Sequence, residues 1–180
     1  MSSVKRSSIC ALCIALCYVL PLGFHAFGAG ELFLPIHIPV LLCGVVCGWG
    51  YGLFCGIAGP VLSCVLSGMP SPADLISMVP ELSLYGLVTG LLLQVIRTRF
   101  TLADLYLALI PAMAAGRIAG GAAKALFYLS HARGYTLGLW VSGYVVKSLP
   151  GILLQLAVLP PLVFALMKAG LIPARYPGDP

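Results

Sequence analysis

The stretch HIPVLLCGVVCGWGYGLFCGIAGPVLSCVLSGMP, residues 37–70, decides the fold. It contains two apolar runs and no charged residue between His37 and Pro70. The runs meet at Gly48-Trp49-Gly50-Tyr51-Gly52, a turn cluster. Neither run alternates polar and apolar residues as a half-buried strand would. Gly44, Gly48, Gly52 and Gly56 recur every fourth residue, a spacing that lets the backbones of apolar helices approach closely. Two short transmembrane helices joined by a tight turn follow from this pattern.

The rest of the chain agrees. Of 180 residues, 61% are hydrophobic and 8% charged, whereas soluble domains carry about 25% charged residues. Ten Lys+Arg and five Asp+Glu cannot wet the surface of a soluble fold of this size. A cytosolic enzyme, a disordered chain and a nucleic-acid binder are excluded. Mean hydropathy of +1.07 points the same way. The fold class is an all-α polytopic membrane protein forming a single integral membrane domain over residues 1–180.

Six spans are expected, at roughly 8–26, 36–49, 52–66, 75–96, 105–129 and 139–167, by the usual length of about 20 apolar residues. The second and third are short and need longer neighbours. The first resembles a secretory signal, with Lys5-Arg6, an apolar run and Ala26-Phe27-Gly28. Five further spans favour its retention as a helix. The fourth has a readable start: Ser71 as cap, Pro72 in the first turn and Asp74 three residues after the cap. Pro150, Pro160 and Pro161 predict a kink or break in the sixth. Placing the N-terminus inside puts Lys5, Arg6, Arg97, Arg99, Lys168 and Arg175 on the cytoplasmic side, leaving Arg133 in an external loop. Both termini are therefore expected in the cytoplasm.

Small residues recur elsewhere at the same spacing: Gly86/Gly90, Gly116/Gly120 and Ala11/Ala15. Internal helix packing is the plain reading, and docking of another membrane protein the sharper one. The seven cysteines, Cys10, Cys13, Cys17, Cys43, Cys47, Cys55 and Cys64, all fall in apolar segments. They read as small packing residues, with no metal or cofactor expected. No P-loop, HExxH or dinucleotide fingerprint is present.

Four charges lie where charge is costly: Glu81, Arg117, Lys124 and Lys147. A central Arg or Lys costs about 2.5–3.5 kcal/mol on insertion scales, so such residues normally face a protein interior or a wet cavity. A rise of about 1.5 Å per residue puts Arg117 near mid-bilayer, with Glu81 and Lys147 in the outer half. Lys124 lies near the outer surface, where snorkelling is the alternative reading. Tyr85 lies one turn below Glu81. Tyr144 lies one turn above Lys147, and Gln155 two turns below it. These groups predict a cavity open to the outside. Glu81 pairs with Arg117 or Lys147 in this reading. Three cations against one carboxylate leave a surplus suited to an anion. The external segment 25–39 carries His25, Glu31 and His37 and reads as interfacial surface, with a lid or ligand-contacting segment and a metal site of two His and one Glu as the alternatives. No histidine falls deep inside a span.

Several blocks resemble the substrate-binding S component of energy-coupling factor vitamin transporters. They are Ala11-x-x-x-Ala15, residues 37–70, PELSLYGLVTGLL at 80–92, AAGRIAGG at 114–121 and SLPGILLQLAVLPPLV at 148–163. The nearest branch is the pantothenate type. The resemblance implies a six-helix bundle that binds a vitamin with its outer half. It also implies a transmembrane T component docking on the Ala11/Ala15 face and two cytoplasmic ATPases that power uptake. The chain itself then catalyses nothing. The substrate-binding candidates are Glu81, Tyr85, Arg117, Lys147, Tyr144, Gln155 and His37. A self-contained secondary transporter is the alternative, although no convincing inverted repeat is found. A membrane enzyme ranks third.

Overall fold

The computed structural model describes residues 1–26, 35–130, 136, 138, 142–143 and 148–177, excluding the side chains of residues 25 and 26. The described elements are six helices: α1 (Ser3–Ala26), α2 (His37–Cys47), α3 (Trp49–Ser67), α4 (Pro72–Val95), α5 (Thr101–Ser130) and α6 (Leu149–Lys168). No strand occurs among the described residues. All but α2 are long and apolar enough to cross a membrane. The expected all-helical bundle is present, with six helices among the described residues. The first part of the sixth span, residues 139–147, lies outside the described residues except 142–143.

Local chemistry sets the helix limits. Gly48 at φ 95° separates α2 from α3. Only glycine adopts that conformation at little cost, so α2 and the 19-residue α3, which is longer than expected, form a hairpin at this point. At the start of α4 the Ser71 hydroxyl accepts from the Asp74 amide at 3.2 Å and donates to the Asp74 carboxylate at 2.7 Å. Of the positions where a kink or break is expected in the sixth span, Pro160 and Pro161 show no break, because α6 runs through both. Pro150 falls in its first turn, where a missing N–H has no helical partner to lose.

The core is a glycine contact between α4 and the α2–α3 hairpin. A Cβ added at Gly86 would lie 2.1 Å from the Gly52 carbonyl oxygen. One at Gly44 would lie 2.6 Å from the Gly86 oxygen, and one at Gly90 2.3 Å from the Trp49 nitrogen. Gly56 meets the Leu82 carbonyl in the same way at 2.3 Å. The stripe read from sequence is therefore internal packing of backbone on backbone.

On the other side of the hairpin, α1 lays Cys10, Cys13 and Cys17 on one buried stripe facing Cys43, Cys47 and Cys55. All seven thiols are free, and six are buried. They serve as the compact apolar filling that the sequence suggested.

At the far end of α4 the chain ties a polar knot that the sequence did not reveal. Asp104, fully buried in the first turn of α5, accepts from Arg175 Nε at 2.6 Å and Tyr176 Oη at 2.5 Å. It also accepts from the Thr98 amide at 2.8 Å and hydroxyl at 2.7 Å. Arg175 Nη2 donates to the Leu93 and Ile96 carbonyls, both at 2.6 Å, and so caps the open end of α4. Beneath it lies a cavity of about 200 Å³ lined mainly by apolar residues, among them Val45, Leu93, Leu105 and Val163.

Two outcomes follow from these contacts. Gly86→Ala should lower the melting temperature of the detergent-purified protein by several degrees, or abolish its monodisperse elution. Gly50→Ala meets nothing within 4 Å and should leave both unchanged. Asp104→Ala should cost roughly 2 kcal/mol or more, because it strips the acceptor from four donors. Asp74→Ala, at a half-exposed pair, should cost under about 1 kcal/mol.

Candidate functional site

On α4, Ser77, Glu81, Tyr85 and Thr89 stand one turn apart and each is buried, and the α5 glycines meet the first three. Four-residue spacing stacks these side chains on one face. A bulky neighbour on α5 would exclude them, and glycine removes the obstacle. A Cβ at Gly116 would strike the Tyr85 ring at 2.1 Å. One at Gly120 would come within 2.9 Å of the Glu81 carboxylate. The α5 glycines thus seat the site side chains, a role their spacing did not reveal.

Glu81 is the hub. Its Oε1 lies 3.6 Å from Arg117 Nε and 3.4 Å from His37 Nε2. All three residues are under a tenth exposed. Of the two partners expected for Glu81, Arg117 stands beside it and Lys147 lies outside the described residues. His37 corrects the sequence reading. It is not a loop or lid residue but the first residue of α2, 2% exposed, with its ring edge-on to Tyr85 at 5.3 Å between centroids. The expectation that no histidine lies deep in a span fails because α2 is only 11 residues long. Its N-terminus begins at the level of Glu81, well inside the bundle. That end of a helix also favours a carboxylate beside it.

The charge balance changes too. Lys124 does not join the cluster, because its Nζ bonds Asp74 Oδ1 at 3.1 Å near the outer end of α4. Asp74 had been read only as a helix-start residue. Among the described residues the cations of α5 are matched by the carboxylates of α4. The surplus of three cations to one carboxylate does not hold there. Lys147 and Tyr144 lie outside the described residues, as do His25's side chain and Glu31. No group of three or more metal-ligating side chains stands together among the described residues.

Several buried polar atoms have no hydrogen-bond partner: His37 Nδ1, Tyr85 Oη, Thr89 Oγ1 and both amide atoms of Gln155. The Tyr85 hydroxyl lies beside Glu81 and Arg117 without forming a well-aligned bond to either. An unmet buried donor or acceptor costs about 1–3 kcal/mol. Thr89 was missed in the sequence. Its four-residue step from Tyr85 and eight from Glu81 was the available signal.

Ionisable groups held inside a multi-pass bundle mark a membrane protein that handles a polar solute. The chain belongs to the family described as ECF transporter, substrate-specific component, whose model matches residues 5–163. Proteins of this family are substrate-binding subunits of transporters and not enzymes, and they reside in the cell membrane. No curated protein matches the chain. No solved structure matches it.

The hub predicts strong coupling. Glu81→Gln and Arg117→Gln should each destabilise the protein by about 3 kcal/mol by leaving a buried charge. The double variant should be more stable than the sum of the two losses implies, as read from thermal melts of all four proteins.

Proposed function

We propose that the chain captures a vitamin-like anion on the outer side of the membrane, with pantothenate the best candidate. A T component and two cytoplasmic ATPases then drive its uptake. The observation that carries this reading is the meeting of Glu81, Arg117, His37 and Tyr85 inside the bundle. An Arg fork suits a carboxylate. Tyr85 and Gln155 supply hydrogen-bonding groups of the kind that hydroxyls and an amide need. With Lys124 beside Asp74, the preference for an anion draws on the Arg117 fork and on the sequence-based expectation that Lys147 and Tyr144 line the same cavity.

Partner docking falls on α1. Ala11 and Ala15 are exposed, on the face turned away from the cysteine stripe. Two small side chains one turn apart give a partner helix a flat approach. The positive-inside asymmetry puts both termini, and the Asp104 knot, on the cytoplasmic side.

Mass spectrometry of the small molecule that co-purifies, followed by binding assays with a panel of water-soluble vitamins, tests the substrate. Arg117→Ala and Lys147→Ala should weaken anion binding by about tenfold or more, and Lys124→Ala by less than about threefold. Equal affinities in the three variants would refute the anion site. Uptake by liposomes holding this chain alone would refute the division of labour.

A further inference from the structure

Among the described helical serines, Ser63 bonds the Met69 carbonyl and Ser7 the Tyr51 hydroxyl, and five others follow one habit. Ser8 bonds the Val4 carbonyl, Ser67 that of Ser63, Ser77 that of Asp74, Ser83 that of Pro80 and Ser130 that of Phe127. Each hydroxyl satisfies itself on the preceding turn, the usual recourse in an apolar helix. Thr89 departs from the habit. It is fully buried in α4, and its Oγ1 bonds neither the carbonyl one turn back nor any other group. Tyr85, one turn above and equally buried, leaves its hydroxyl without an aligned bond as well. Both follow Glu81 along α4 at four-residue steps.

Packing alone does not explain a hydroxyl here. Valine has the same shape as threonine and would fill the position without an unmet polar group. We propose that Thr89 and Tyr85 form an inner subsite, below the Glu81–Arg117 pair, that hydrogen-bonds an uncharged polar group of the substrate. The inference rests on the functional reading above and extends it. The charged end of the substrate is read at the level of Arg117, and a hydroxyl or amide is read one to two turns deeper. A hydroxyl both donates and accepts, so Thr89 suits either group. A site built to bond such a group discriminates strongly against analogues that lack it, since the site's own polar atoms are then left unpaired.

The test uses the full chain purified in detergent, a panel of water-soluble vitamins that includes pantothenate, and two readouts: binding affinity and ligand-free melting temperature. Thr89→Val should bind the wild-type ligand about tenfold more weakly, while Thr89→Ser binds within about threefold of wild type. Ligand-free Thr89→Val should melt no lower than wild type, because the substitution removes an unmet hydroxyl. If Thr89→Val fails to fold, Thr89→Ala compared with Thr89→Ser carries the same contrast. Unchanged affinity in Thr89→Val, with Arg117→Ala weakened, overturns the inner subsite and leaves the functional reading standing. A lower ligand-free melting temperature in Thr89→Val marks the hydroxyl as structural and also overturns the subsite. A wild-type protein that binds no member of the panel overturns both.

Discussion

The structure depends on backbone touching backbone where α4 crosses the α2–α3 hairpin. Gly86 sits between Gly44 and Gly52, with Gly90 against Trp49 and Gly56 against Leu82. In a bilayer, helices gain little from excluding lipid, so van der Waals contact and polar pairing must hold them together. Glycines at the crossing shorten the distance between axes and bring more atoms into range. The same contact fixes the rotation of α4. With Gly86 and Gly90 turned to the hairpin, Glu81 and Tyr85 meet the glycines of α5. The site is therefore a consequence of how the core packs.

Much of this was legible in the residues. Apolar length gave the helices, the cluster at residues 48–52 a hairpin turn that the structure confines to Gly48, and Ser71-Pro72 the start of α4. Helical rise placed Glu81 and Arg117 at compatible depths, and their pairing followed. Other features resisted for physical reasons. Spacing of small residues gives the face they share but not what lies opposite, so Gly116 and Gly120 read the same whether they meet a helix or cradle a side chain. His37 looked like loop because span length was judged against the bilayer, whereas α2 is short and starts within the bundle.

The Asp104 knot was hidden in another way. Arg175 lies 71 residues from its partner. A cation beyond the last span reads as a topological charge whether or not it turns back to cap a helix. Lys124 illustrates the opposite case: a side chain expected to reach for the headgroups instead finds Asp74, an acid that seemed already accounted for by its place in the first turn of α4. Long-range pairing of this kind is set by tertiary geometry, which a linear pattern does not encode.

The pairing between α4 and α5 bears on how the chain enters the membrane. Within its span α5 carries Arg117 and Lys124, and α4 carries Glu81 and Asp74 opposite them. Alone, α5 would bring two positive charges into hydrocarbon, at about 2.5–3.5 kcal/mol for each one placed centrally. Only residues 96–100 separate the two helices. Insertion as a hairpin, α4 held beside the translocon until α5 emerges, lets each cation meet its carboxylate before either faces lipid. The order of synthesis thus does part of the work of folding. Separating the two helices with a long insertion would bring both cations to lipid before their carboxylates could meet them, even though every contact of the finished bundle remained available.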